Sequence, residues 1–248
     1  LGSTTDAEDS VTNGGNRVEC NTIQAVENSA DKRLMKECFL DEGVQTADWY
    51  NWSLGSTFTK AETGEDISIA NLPYPIVSKH INGSRGTGNL LHRTQQEFNT
   101  WIQGKNLDNY IFEKFYNFNR EYRLHVTKDG CFYTCRKLLK EETPEANRWY
   151  RNDSNCNWIV ENNESFDKPV NWDTIVAECV KALHATTLDI AGIDVKVQST
   201  RDSRDRIRTN PEFIIIETNS GASFGTITAQ KYKEELPKIL KYKHSLRS

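Results

Sequence analysis

The apolar run Phe213-Ile214-Ile215-Ile216 stops abruptly at Glu217-Thr218-Asn219. If the run is a strand, its period of two turns the Glu217 and Asn219 side chains to the same face. A carboxylate and an amide oxygen so placed can ligate a hard cation, and Asp194, in a second apolar run, can supply a further oxygen. A strand that merely ends in polar residues gives the same pattern. Lys79 precedes the stretch Asn82-Gly83-Ser84-Arg85-Gly86-Thr87-Gly88. Glycines at Gly83, Gly86 and Gly88 would let backbone N–H groups approach phosphate oxygens, with Ser84 beside them and a lysine ammonium to offset the charge. The order is not that of a Walker loop, because no Gly-Lys-Ser/Thr follows the glycines, and a flexible hairpin turn is the bland alternative. Glu113 and Glu121 flank an aromatic strand end, an arrangement suited to an adenine edge and a ribose diol. Either glutamate alone reads as a solvated surface group.

These residues need elements to hold them. Apolar periodicity predicts a helix from Ser29 to about Glu42, with Leu34, Met35, Cys38 and Phe39 on one stripe, Ser29 as N-cap, Gly43 as stop and Lys32 in the first turn. Pro73 and Pro75 lead into a strand through Lys79, followed by the glycine loop and a second strand. Thr94-Gln95-Gln96-Glu97 is a capping box opening a short helix. Tyr110 to Tyr116 reads as a strand, and Glu121 to Thr127 with Gly130 to Lys137 as a hairpin. Alternation puts Glu121, Arg123 and His125 on one face of that hairpin and Tyr122, Leu124 and Val126 on the other. Residues 138 to 170, rich in Glu, Asn and Arg, read as a long functional loop or lid. Trp172 to about Thr186 is an amphipathic helix, Ile190 to Gln198 and Phe213 to Asn219 are strands, and a last helix runs from about Thr228 to Lys241.

The 248 residues can fill a sizeable core, with 36% hydrophobic content, and the aromatic side chains supply large packing units. No segment approaches the roughly 20 apolar residues of a membrane span, and no start resembling a secretory signal is present, so a cytoplasmic protein is expected. A net charge of -4 gives no electrostatic reason for binding along a nucleic-acid backbone. The six cysteines show no Cys-x-x-Cys and are expected to be reduced thiols, mostly buried. Residues 1–19, small and polar, are expected to form a loose arm.

Taken in order, Lys32, Lys79 with its glycine loop, Glu113 to Glu121, Arg123, Asp194 and Glu217-Thr218-Asn219 resemble the ATP-grasp superfamily from about residue 21 to 241. Ser29-Ala30-Asp31-Lys32 looks like the family's first lysine helix, Tyr74-Pro75-Ile76-Val77-Ser78-Lys79 like its second lysine strand, and Glu113-Lys114-Phe115-Tyr116 like its interlobe hinge. Within the superfamily the chain is most similar to the ribosomal-protein glutamate ligase type and to bacteriophage ATP-grasp proteins. This shows in Arg120-Glu121-Tyr122-Arg123-Leu124-His125-Val126 and Trp149-Tyr150-Arg151-Asn152-Asp153-Ser154-Asn155.

The resemblance implies an α+β fold of two lobes, 20–110 and 111–248, holding ATP and Mg²⁺ between them. It implies that Lys32 and Lys79 bind phosphates, Glu113 and the Lys114-Phe115-Tyr116 backbone the adenine, Glu121 the ribose, and Asp194, Glu217 and Asn219 the Mg²⁺. Arg123 and Arg151 would stabilise the transferring phosphoryl group, with Arg136 or Lys137 as a further phosphate contact. The implied activity is ATP-dependent ligation of a carboxylate substrate to an amine acceptor through an acyl phosphate. A kinase on the same fold and a non-catalytic nucleotide-binding protein are the alternatives. Two departures stand out: only 31 residues precede Lys32, where family members commonly carry a further lobe, and Gly192 occupies a position where some members have an arginine.

Overall fold

The computed structural model describes residues 18–53, 57–83, 88–161, 166–222 and 225–246. Two helices come first, α1 (Ile23–Ala30) and α2 (Lys32–Asp41), where the sequence suggested one. Asp31 breaks them: its backbone is extended, and its carboxylate accepts the N–H groups of Arg33 and Leu34. Asp31, not Ser29, is therefore the N-cap of the lysine helix, and the Ser29 hydroxyl instead donates to the Val26 carbonyl inside α1. Gly43, at a φ of 63°, ends α2 as expected. Asp31→Ala should cost about 1 kcal/mol, the usual worth of such a cap. A chemical-denaturation midpoint unchanged in that variant would show that the cap does not form.

The first sheet contains β1 (Trp49–Ser53), β2 (Thr57–Lys60), β3 (Asp66–Ser68), β4 (Ile76–His80), β5 (Leu90–His92) and β6 (Tyr110–Lys114), in the order β3-β2-β1-β6-β4-β5. Its core is aromatic: Phe58 and Phe112 pack on Phe98 of α3 (Gln95–Trp101). The Thr94 hydroxyl accepts the Glu97 N–H at the start of α3, while the Glu97 carboxylate reaches back to the Arg93 N–H.

The second sheet contains β7 (Arg120–Thr127), β8 (Gly130–Leu139), β9 (Cys156–Val160), β10 (Ile190–Val197) and β11 (Phe213–Asn219), in the order β11-β10-β7-β8-β9. Helix α4 (Trp172–Ala185) covers one face. Its Ile175, Cys179 and Leu183 meet Tyr122, Leu124 and Val126, the apolar half of the β7 alternation. The last helix, α5 (Thr226–Ser245), touches β8 from the other side.

Three expectations change. Residues 138–170 are not one loop: β9 pairs with β8 from Cys135↔Val160 to Leu139↔Cys156 and forms an edge of the second sheet. The sheets do not part at residue 110, because Tyr110–Lys114 pairs with β4 and β1 in the first sheet and the chain crosses over through 115–119. The helices before β1 belong by packing to the second sheet, since Met35 and Phe39 join the core under α4 and β11. All six cysteines are free thiols, with Cys135, Cys156 and Cys179 buried. Among the described residues no helix is long and apolar enough to cross a membrane.

Candidate functional site

The N-terminus of α2 is docked on the end of β4, where the Lys32 N–H donates to the Ile81 carbonyl. The Lys32 ammonium then reaches the Gly83 carbonyl at the start of the glycine loop. Ser84 and Gly86 lie outside the described residues. Gly88 closes the loop at a φ of 79°, with a Cβ there falling 3.2 Å from the His80 Cβ.

Behind this entrance Glu113 accepts the Lys79 ammonium at 2.6 Å and the Lys36 ammonium at 3.1 Å. Glu113, expected at an adenine edge, is the buried counter-ion of two lysines. Burial alone would raise its pKa, but the two ammonium groups hold it down to about 2. Lys36 escaped the sequence reading, because a lysine followed by a glutamate reads as solvated. It lies one turn after Lys32, and α2 buries Lys32, Met35, Lys36 and Phe39 on one stripe. Burial brings the Lys36 pKa down to about 8 despite Glu113. Its ammonium also contacts the Thr46 hydroxyl, which donates to the Ile215 carbonyl at 2.7 Å. A polar chain thus runs from β11 in one sheet to Lys79 in the other.

On the second sheet, Asp194 (β10) lies beside Arg123 (β7) and opposite Glu217 (β11). Arg123 grips Asp194 with two bonds, Nε to Oδ1 at 2.7 Å and Nη2 to Oδ2 at 2.8 Å. Lys137 bridges Asp194 at 2.7 Å and Glu121 at 2.8 Å. Arg151 stands 3.8 Å from Glu121 and donates to the Asn119 carbonyl. Burial would raise the Asp194 pKa, but Arg123 and Lys137 hold it well below the usual carboxylate range. Arg136 does not join them: neighbouring strand residues point to opposite faces, and Arg136 pairs with Glu161 at 2.7 Å. Gly192 also finds its reason, since a Cβ there would fall 3.1 Å from the Arg123 side chain. Arg123 reaches across from the next strand into the space where a residue at 192 would carry its side chain.

A bulge arranges β11. Asp194 pairs with Glu217 but Val195 pairs with Ile215, so Ile216 is the extra residue. Ile214 and Ile216 therefore share the cavity face with Glu217, while Ile215 turns into the core. Among the described residues the Glu217 carboxylate has no hydrogen bond or ion pair within 4 Å, whereas the Asn219 amide nitrogen donates to the Gly192 carbonyl, leaving its oxygen available. Asp194 lines the same cavity, its Oδ1 accepting from Arg123 and its Oδ2 from both Arg123 and Lys137. No group of three or more His, Cys, Asp or Glu that could hold a metal occurs among the described residues.

One cavity lies between the sheets. Val77 and Lys79 line it from β4, Ile214, Ile216 and Glu217 from β11, and Phe115 and Tyr116 from the crossing segment. The Phe115 N–H is held by the Pro75 carbonyl, and the Tyr116 N–H has no partner among the described residues. Lys114 borders the cavity beside Asp48, 3.8 Å away. Lys196, also missed in the sequence, reaches the Trp149 carbonyl at 3.0 Å and lies 5.2 Å from the Phe115 ring centre; burial lowers its pKa to about 8. A second cavity continues past Gly83, Arg123, Arg151, Glu217 and Asn219.

No protein-family model matches the chain, and no curated relative is found by sequence. Solved structures do match. The D-alanine–D-alanine ligase of Bacillus anthracis aligns at a TM-score of 0.60 and 14% identity, over 92% of this chain and 70% of that one. The carboxyaminoimidazole ribonucleotide synthase of Aspergillus clavatus, complexed with ATP, aligns at 0.59 and 19%, over 89% and 53%. The ATP-grasp ligase PsnB, complexed with its minimal precursor, aligns at 0.52 and 14%, over 90% and 62%. The fold is the α+β ATP-grasp fold.

Proposed function

We propose that the cavity between the sheets binds ATP with Mg²⁺ and activates a carboxylate for ligation to an amine. The observation that carries this reading is convergence: Lys79 and the Lys32–Gly83 contact from one side face Glu217, Asn219 and the Arg123–Asp194 pair from the other across joined cavities. The cavity walls fit the nucleotide. Val77 and the pair Ile214 and Ile216 offer apolar surfaces from the two sheets, the Tyr116 N–H offers a hydrogen bond to a base edge, and the lysines offset phosphate charge. Glu217 and Asn219 fit a hard cation, as oxygen donors with uncommitted lone pairs. Asp194 could join them through the lone pair that Oδ1 keeps beside its bond to Arg123.

Phosphoryl transfer asks a protein for positioning and charge neutralisation rather than covalent help. Mg²⁺ held by Glu217 and Asn219 would neutralise phosphate oxygens. Lys79, itself held by Glu113, sets the nucleotide phosphates; Arg123 and Arg151 balance charge where the substrate carboxylate oxygen bonds the γ-phosphorus and the bond to the β-phosphate oxygen breaks, releasing ADP. The amine nitrogen then bonds the acyl carbon, phosphate departs with the electron pair, and the amine gives up a proton. The acyl phosphate must be kept from water until the amine attacks.

The test is a screen for ADP release with carboxylic acids and amines, with products identified by mass. Release that requires both substrates and yields an amide supports the reading. Release with a hydroxyl acceptor and no amine would make the protein a kinase, and nucleotide binding without turnover across the panel would make it a non-catalytic binder.

A further inference from the structure

A third cavity lies on the second sheet beyond Arg123. Its floor is made by alternate residues of three neighbouring strands, His125 from β7, Tyr133 and Cys135 from β8, and Trp158 and Val160 from β9. This is the face of the sheet away from α4, and the first turn of α5, with Ile227, forms the wall. Arg123, Asp153 and Trp158 border both this cavity and the one that holds Glu217 and Asn219, so the two adjoin at Arg123.

Two of its polar groups are paired. His125 Nδ1 lies 3.0 Å from the Tyr232 hydroxyl, and burial lowers the His125 pKa to about 3, leaving it neutral. The Trp158 N–H donates to Asp153 at 3.1 Å. The cavity thus presents aromatic and aliphatic surface with charge at one end only. There Arg123 lies 4.8 Å from the Trp158 ring centre; its Nε and Nη2 are spent on Asp194, and Nη1 has no partner among the described residues. Asp153 is the acid on the rim.

We propose that this cavity receives the acyl substrate and that the substrate is a monocarboxylic acid with an aromatic or branched aliphatic side chain. The side chain lies on Tyr133, Trp158, Val160 and Ile227, and the carboxylate turns toward Arg123 Nη1 at the mouth of the phosphate cavity. A second carboxylate on the substrate would lie on apolar surface and meet no cation inside, so dicarboxylic acids are rejected. The proposal rests on the ligase reading given above.

The experiment separates the two. Protein, Mg²⁺, ATP and hydroxylamine, which traps an acyl phosphate as a hydroxamate with release of phosphate, are incubated with L-phenylalanine, L-leucine, 3-phenylpropanoate, L-glutamate or succinate. Binding of each acid to the protein with Mg·ADP is measured alongside by calorimetry. The apolar acids should give at least about 10-fold more hydroxamate than the dicarboxylates, a difference of roughly 1.4 kcal/mol, and should bind more tightly by a similar factor. Val160→Asp should erase that preference while leaving ADP affinity unchanged. Val160 is 38% exposed on an edge strand, so the variant should fold. Ile227→Asp, at a 51% exposed position in the first turn of α5, is the second such variant. Preferred turnover or binding of dicarboxylates, or two variants that leave the preference intact, would overturn the assignment while leaving the ligase reading in place. Apolar acids that bind preferentially without hydroxamate would uphold the cavity and remove the ligase reading. Neither binding nor turnover of any acid would remove both.

Discussion

Glu217→Ala should lower ATP turnover by about 10²–10³-fold, the loss usual when one preorganised group that stabilises transition-state charge is removed, while the protein stays folded. Glu217 is half-buried and bound to no side chain, so its removal breaks no ion pair and leaves no partner stranded. Asp194, by contrast, is already shared by Arg123 and Lys137, and a cation there would compete with both for its charge. The effect should therefore appear in turnover and in the Mg²⁺ concentration needed for it, and hardly in the unfolding midpoint. ADP release by the variant within a few-fold of the wild type, at equal Mg²⁺, would remove Glu217 from the cation site. An unfolded variant would show that its role in the fold has been underestimated, and Glu217→Gln, with the same shape, then provides the comparison.

The parts legible in the sequence were those governed by a short period. The alternation of β7 assigned Tyr122, Leu124 and Val126 to the core and Glu121, Arg123 and His125 to the opposite face, and burial of all six beside two different sets of neighbours agrees. Lys79 and Glu217 were found because each stands at the end of an apolar run. What stayed hidden depended on contacts far apart in sequence. The bulge at Ile216 is fixed by pairing with Val195, and nothing within Phe213–Asn219 announces it. Strand β9 lacks clean alternation, its Asn157 and Val160 both being exposed, because it is an edge with one neighbour. Lys36, on a helix packed against the second sheet, is paired in its buried place with Glu113, 77 positions later, from the first sheet. The same pairing makes Glu113 the counter-ion that holds Lys79, a role nothing around residue 113 announces.

Removing Asp194 tests whether the charged network holds the site together. Arg123 and Lys137 are nearly as buried as the carboxylate they share, with side chains 11% and 4% exposed. Asp194→Ala leaves the guanidinium without an acid and Lys137 with Glu121 alone, and breaking a buried pair from one side costs about 3–5 kcal/mol. For a chain of this length that is roughly 10 °C in Tm. Acid should reveal the same network in the wild type. Glu113 is held at about 2 against an ordinary 4.5, and Asp194 lies below its ordinary 3.8. Both are depressed carboxylates, so the stability they add is complete above the unfolded values and is lost as pH falls through the folded ones. The unfolding free energy of the wild type should therefore drop steeply below pH 4.5. In Asp194→Ala the drop should be shallower, because one of the two carboxylates that must take up a proton is gone. The double variant Asp194→Leu with Arg123→Met should regain much of the stability, as apolar replacement of a buried pair often does, yet turn over no ATP. A single variant as stable as the wild type, with an unchanged acid limb, would show that the pair is not formed. Recovery of stability without recovery of turnover would show that the network is kept for the charge it presents to the phosphates rather than for the fold.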